Sequence, residues 1–159
     1  MTKLWRYGLY YCSMVVGLLL LPTPVRAQSD FVVHKVVLSK HIQNRNPEGI
    51  FTPPAYCEKD KNGQASIPII QASQASEVFL WVKVEANITG KIRHSWHFQI
   101  EGTWTKVSEV NLSVRPSPGY RTWSKKRLRP KGATGDWMVV ISPSKEPERV
   151  LCITRFSVK

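Results

Sequence analysis

Side chains able to do chemistry crowd into one stretch of this sequence. Tyr120-Arg121-Thr122-Trp123-Ser124 runs on through Lys125 and Arg127 and is followed by Gly135-Asp136-Trp137. A guanidinium beside an indole can stack on it, or present a planar fork to a carboxylate or phosphate. On a strand, residues two apart share a face, so Arg121 and Trp123 lie on one side and Thr122 and Ser124 on the other. This leaves two readings. In one, Arg121 and Trp123 form a platform for an anion or an acidic sugar. In the other, Trp123 anchors the core while Arg121 covers it and pairs with an acid such as Asp136.

Other chemistries find less support. His94 and Trp96 alternate with Ile92 and Phe98, which places His94 on an apolar face as a hydrogen-bonded core residue rather than a ligand. His97 faces the other way, and His34 and His41 are distant in sequence. With no cluster of cysteines or carboxylates, no metal site is expected. Gly-x-Ser-x-Gly, nucleophile–base pairs and glycine-rich phosphate loops are all missing. Glu101 and Glu109 read as solvated strand faces rather than a catalytic pair. The expectation is a non-enzymatic protein with no catalytic residue, no metal and no cofactor. Exposed aromatics are the better lead. Alternation points Trp81 and Trp104 outward, giving a candidate binding surface of Trp81, Trp104, Arg121, Trp123, Lys125 and Arg127. The basic run of Arg115, Arg121, Lys125, Lys126, Arg127, Arg129 and Lys131 would attract an anionic polymer or membrane surface. It serves equally well as the charge that keeps an edge strand from aggregating.

Strands must position these residues, because no helical period occurs beyond the N-terminal segment. Phe31–Leu38 is rich in β-branched residues. Glu77–Ala86 alternates Val78, Leu80, Val82, Val84 and Ala86 against Phe79, Trp81, Lys83 and Glu85, a period of two. Lys91–Glu101, Trp104–Val114, Tyr120–Leu128, Asp136–Ser142 and Arg149–Val158 follow, separated by turn residues. Between the first strand and Glu77 the pattern dissolves into Asn44–Gly49, Pro53-Pro54 and Lys61-Asn62-Gly63, read as one long connection. These strands predict an all-β chain, an antiparallel immunoglobulin-like β-sandwich of about seven strands, with a small closed barrel as the competitor. Residues 28–159 form one domain, with 28–76 as opening strand and connection and 77–159 as the body.

The first 27 residues are read apart from the fold. Lys3 and Arg6 precede an apolar run from Leu9 to Leu21, then Pro22-Thr23-Pro24 and Val25-Arg26-Ala27. That is the layout of a secretory signal peptide cleaved near Ala27, with a retained N-terminal membrane anchor as the alternative. Its removal takes three cations and no acid from a chain with formal charge +12, leaving +9. A periplasmic or secreted location follows. The expected partner is an anionic envelope component (polysaccharide, cell wall or lipid headgroup, including peripheral membrane contact) or another envelope protein. The alternative function is a structural or assembly domain of an envelope protein complex without a small ligand, and a hydrolase with an unrecognised site is the least favoured reading. Nucleic acid is not expected outside the cell. Cys57 and Cys152 survive cleavage, and in an oxidising compartment they can bridge; a buried free thiol at Cys152 is the alternative.

The stretch from Glu77 to Lys159 resembles a bacterial family known as domain of unknown function 2914. The resemblance rests on the Val-, Phe- and Trp-rich strand, His94-x-Trp96, Arg121-Thr122-Trp123-Ser124-x-Lys126, Gly135-x-Trp137 and the closing strand with Phe156. It implies a small β-rich accessory domain of exported or envelope-associated proteins. It implies no activity and carries over no catalytic residue.

Overall fold

The computed structural model describes residues 30–58, 66–73, 75–128 and 133–159. The N-terminal segment read as a signal peptide, the Lys61-Asn62-Gly63 turn, Arg129 and Lys131 lie outside the described residues. Among the described residues nine strands form two sheets: β1 (Phe31–Gln43), β2 (Asn46–Ile50), β3 (Ile69–Ile70), β4 (Glu77–Ala86), β5 (Gly90–Ile100), β6 (Thr103–Val114), β7 (Ser117–Arg127), β8 (Gly135–Pro143) and β9 (Cys152–Val158). The first sheet runs β2-β1-β4-β7 and the second β3-β9-β8-β5-β6, stacked as a β-sandwich. All pairings are antiparallel except β3 with β9, which is parallel. That pair is the one departure from the antiparallel expectation.

Period-two alternation decides what lies between the sheets. Val78, Leu80, Val82, Val84 and Ala86 of β4 face Ile92, Trp96, Trp137, Val139, Ile141 and Phe156 across the core, and all are buried. Trp137 stacks on Phe156 and Trp96 meets the same ring edge-on, filling the middle of the second sheet with aromatic surface. Cys57 and Cys152 are bridged, with Cα atoms 5.3 Å apart, so the free-thiol alternative for Cys152 does not hold. The bridge ties the segment after β2 to the start of β9.

The region read as a long connection is different from expectation. β1 continues past Leu38 to Gln43 and returns as β2, with Asn46 opposite Gln43 and Ile50 opposite Ser39. The turn residues Asn44 and Arg45 have φ of 49° and 63°. Two consecutive left-handed residues make the tight two-residue turn whose twist suits a hairpin. Lys40, His41, Ile42 and Gln43 carry no strand-like apolar alternation, which is why the arm does not show in the sequence pattern.

Two irregularities bracket one cross-strand row of the first sheet. β1 carries one extra residue between Val33 and Lys35 relative to β4. β7 carries one extra residue between Tyr120 and Ser117, opposite Val84 and Ala86. A bulge shifts the residues beyond it to the other face. Counted in twos from Val33, Lys35 would point into the core. The bulge instead puts Lys35 opposite Lys83 on the solvent side.

Candidate functional site

The outer face of the first sheet gathers most of the candidate residues. Its rows, read across β1, β4 and β7, are Lys35–Lys83–Arg121, then Val37–Trp81–Trp123, then Ser39–Phe79–Lys125, with Glu77 opposite Arg127 at the far end. Arg121 and Trp123 share this face and Thr122 and Ser124 face inward, as strand parity requires. Trp123 does not enter the core, and Arg121 does not meet Asp136. Asp136 accepts a hydrogen bond from Ser157 instead. The reading of Trp123 as a core anchor with an Asp136-paired arginine is thereby replaced.

Trp81 corrects the sequence expectation in another way. It lies on the outer face, yet it is only 5% exposed. The β1–β2 hairpin bends over it, and its indole Nε1 donates to the carbonyl of Arg45 at 2.9 Å. The same hairpin tip is fastened to β7. Arg45 Nη2 donates to the Arg121 carbonyl at 2.9 Å, and Arg121 Nη1 donates to Asn46 Oδ1 at 2.9 Å. The Arg45 guanidinium also lies 5.4 Å from the centre of the Tyr120 ring. Trp104, half-buried in β6, belongs to the other sheet, where Arg155 lies 5.6 Å over its ring. The three tryptophans therefore do not form one platform. Trp81 and Trp123 are neighbours and Trp104 stands apart.

The cations divide just as clearly. Lys125 and Arg127 share the carboxylate of Glu77, at 3.1 and 3.3 Å, and the hydrogen bond from Lys125 is the main influence that holds the Glu77 carboxyl below its usual range. Lys125 also lies over the Phe79 ring. At the other end of the same face, Lys35, Lys83 and Arg121 are exposed and form no ion pair among the described residues. They line an open groove of about 690 Å³ between the hairpin tip at Asn46-Pro47 and the Ser117-Pro118-Gly119 turn, with Trp81 as part of its floor. None of the described residues that line it is acidic. Gly119 gives Lys83 its place. A β-carbon there would sit 2.5 Å from Lys83 Cε and 3.4 Å from its Nζ, so the lysine stem lies directly over the glycine.

Lys35, Lys83, Arg45 and the Ser117–Gly119 turn were not among the residues singled out in the sequence. The only available signal was turn chemistry at Asn44–Gly49 and Pro116–Gly119, which says that the chain reverses but not over what. The second polar feature is internal. His94 is fully buried, its Nδ1 lies 2.8 Å from Ser124 Oγ, and Trp96 Nε1 donates to the same oxygen at 3.2 Å. Its Nε2 has no partner. Burial alone pushes the His94 pKa down to about 3, so the ring is neutral and donates or accepts without charge. No group of three or more His, Cys, Asp or Glu side chains among the described residues is placed to hold a metal ion.

No curated protein matches the sequence. Among solved structures the chain is similar to a Niemann-Pick type C2 protein from the Japanese carpenter ant, with TM-score 0.45 and 9% identity over 82% of this chain and 94% of that one. A hemolymph-type prophenoloxidase from a crustacean gives TM-score 0.33 and 10% identity, over 76% of this chain and 27% of that one. Neither likeness is close enough to carry a fold or a function. Residues 89–158, spanning β5 to β9, match the family described as protein of unknown function (DUF2914), the family that the Arg121-Thr122-Trp123-Ser124 and Gly135-Asp136-Trp137 signatures resemble.

Proposed function

We propose that this protein is an exported, non-catalytic β-sandwich module that binds an anionic component of the cell envelope, and that the groove on the first sheet is its binding face. One observation carries the reading: three cations stand directly opposite one another on adjacent strands with no acid among them. Neighbouring strands are about 4.8 Å apart, and like charges set opposite one another across a sheet destabilise it. The nearest carboxylate on the same face of β4, Glu85, is engaged by His34 at 2.8 Å and not by the row, so an anionic ligand would relieve the repulsion. Two bulges and a folded-over hairpin maintain the arrangement. The disulfide supports an oxidising, extracytoplasmic location, in keeping with the signal-like N-terminal segment. Five of the nine residues that line the groove, Lys35 and Lys83 among them, precede residue 89, so it is assembled from the family-matched stretch together with strands outside it.

The test is co-sedimentation of the full chain with isolated envelope material at rising salt. Retention should fall steeply with ionic strength, because it depends on attraction between exposed charges. Salt-independent retention would contradict it. A second reading, assembly with another envelope protein, draws on β6. This twelve-residue strand is at the free edge of its sheet and has Val107 40% exposed. A single stoichiometric protein recovered with the chain, in place of envelope material, would favour it.

A further inference from the structure

We infer that the Lys35–Lys83–Arg121 groove binds a phosphate monoester or pyrophosphate group carried on a larger envelope molecule. The inference rests on the reading of the groove as an anion site and names the anion. Three cations match a dianion in charge, with one to spare for the ligand's approach. The donors come from three adjacent strands as separate groups, so more than one can reach the several oxygens of a phosphate. A carboxylate, with two oxygens in one plane, offers three donors fewer acceptor positions than a phosphate does. Arg121 spends Nη1 on Asn46, which fixes the plane of the guanidinium and leaves the rest of the fork unengaged. Lys83 is a point charge laid over Gly119 toward the same turn, where the Ser117 hydroxyl already accepts from the Gly119 amide at 3.1 Å. A groove of about 690 Å³ is far larger than one phosphate group needs. The remaining space, bounded by Pro47, Pro118 and the Trp81 indole, is where the body of the ligand lies.

Gly119 supplies an uncharged probe of the site. Its φ lies outside the left-handed region, and the atom an added methyl would meet is the far end of a flexible lysine. Gly119→Ala should therefore fold normally while pushing Lys83 out of place. The experiment titrates the full chain with inorganic pyrophosphate by calorimetry, with citrate as a carboxylate comparison, for the wild type, Gly119→Ala, Arg121→Gln and Lys125→Gln. The expected result is saturable pyrophosphate binding, preferred over citrate. It should weaken about tenfold or more in Gly119→Ala and Arg121→Gln, and less than about twofold in Lys125→Gln. Vesicles carrying phosphatidic acid and a soluble sugar 1-phosphate then identify the source. Capture by the vesicles indicates a lipid headgroup, and competition by the sugar phosphate alone indicates a glycan. Absent pyrophosphate binding, equal citrate binding, or equal affinity in all four proteins would overturn the inference. Envelope retention of Arg121→Gln separates the two levels: if it still falls, only the phosphate assignment fails, and if it is unchanged, the groove fails as a binding face too.

Discussion

The two ends of one sheet face use the same side chains to opposite effect. At one end Lys125 and Arg127 close on Glu77, and Lys125 covers Phe79, so charge is neutralised and apolar surface is shielded. At the other end Lys35, Lys83 and Arg121 stand in a row with no acid and an open groove in front of them. Trp81 and Trp123 separate the two. The paired end behaves as an ordinary protected edge of β7, as basic edge strands do. The unpaired end leaves its cations without an ion pair among the described residues, its nearest carboxylate, Glu85, being taken by His34, and it has irregular backbone on both flanks. A basic strand is therefore not one feature. Its function is decided by where the acids are.

The largest expected effect comes from breaking the divider. Trp81→Ala removes a buried indole and the hydrogen bond that holds the hairpin down, and should cost about 3–5 kcal/mol in denaturant unfolding. Trp123→Ala, at a half-buried position, should cost much less. If the two cost the same, the hairpin does not cover Trp81 as described.

Acid provides the next contrast, between the core and both ends of the face. His94 has a folded pKa of about 3 against an ordinary 6.5. As pH falls, the unfolded chain takes up the proton first, so this contribution to stability is complete above about 6.5 and is lost progressively towards 3. The slope is about 1.4 kcal/mol per pH unit within that window. His94→Phe should flatten it, measured as unfolding midpoints between pH 6 and pH 4. Glu77 adds a loss at lower pH. Its folded pKa is depressed, so its contribution is present above the ordinary carboxylate pKa and disappears as pH drops through the folded value.

The smallest effect distinguishes the two ends directly. Lys83→Gln relieves like-charge repulsion and should raise stability by about 0.5 kcal/mol. Lys125→Gln breaks an exposed ion pair and should lower the melting temperature slightly. Opposite signs sharpen the comparison; matching signs would dissolve it.

Much of this was legible in the sequence, and the exceptions have physical causes. The bounds of β4 and the inward set Val78, Leu80, Val82 and Val84 follow from strict alternation, and the burial of His94 follows from its place between Ile92 and Trp96. The same parity correctly put Trp81 on the outer face. What hid it was Arg45, 36 residues earlier, at the tip of an arm without apolar alternation. Lys35 was missed because alternation counts in twos and a bulge adds one. The row of cations exists only once β1, β4 and β7 are set in register, and register across strands distant in sequence is not written in the composition of any one of them.

The most direct test compares two charge-matched double variants, Lys83→Gln/Arg121→Gln and Lys125→Gln/Arg127→Gln, in salt-dependent binding to isolated envelope material. Each removes two positive charges from the same face, so any effect of net charge alone is equal. The first should lose about tenfold or more in apparent affinity and flatten the salt dependence, while the second should stay within about twofold of wild type. Equal losses in the two variants would contradict this, and would assign binding to diffuse basicity rather than to the groove.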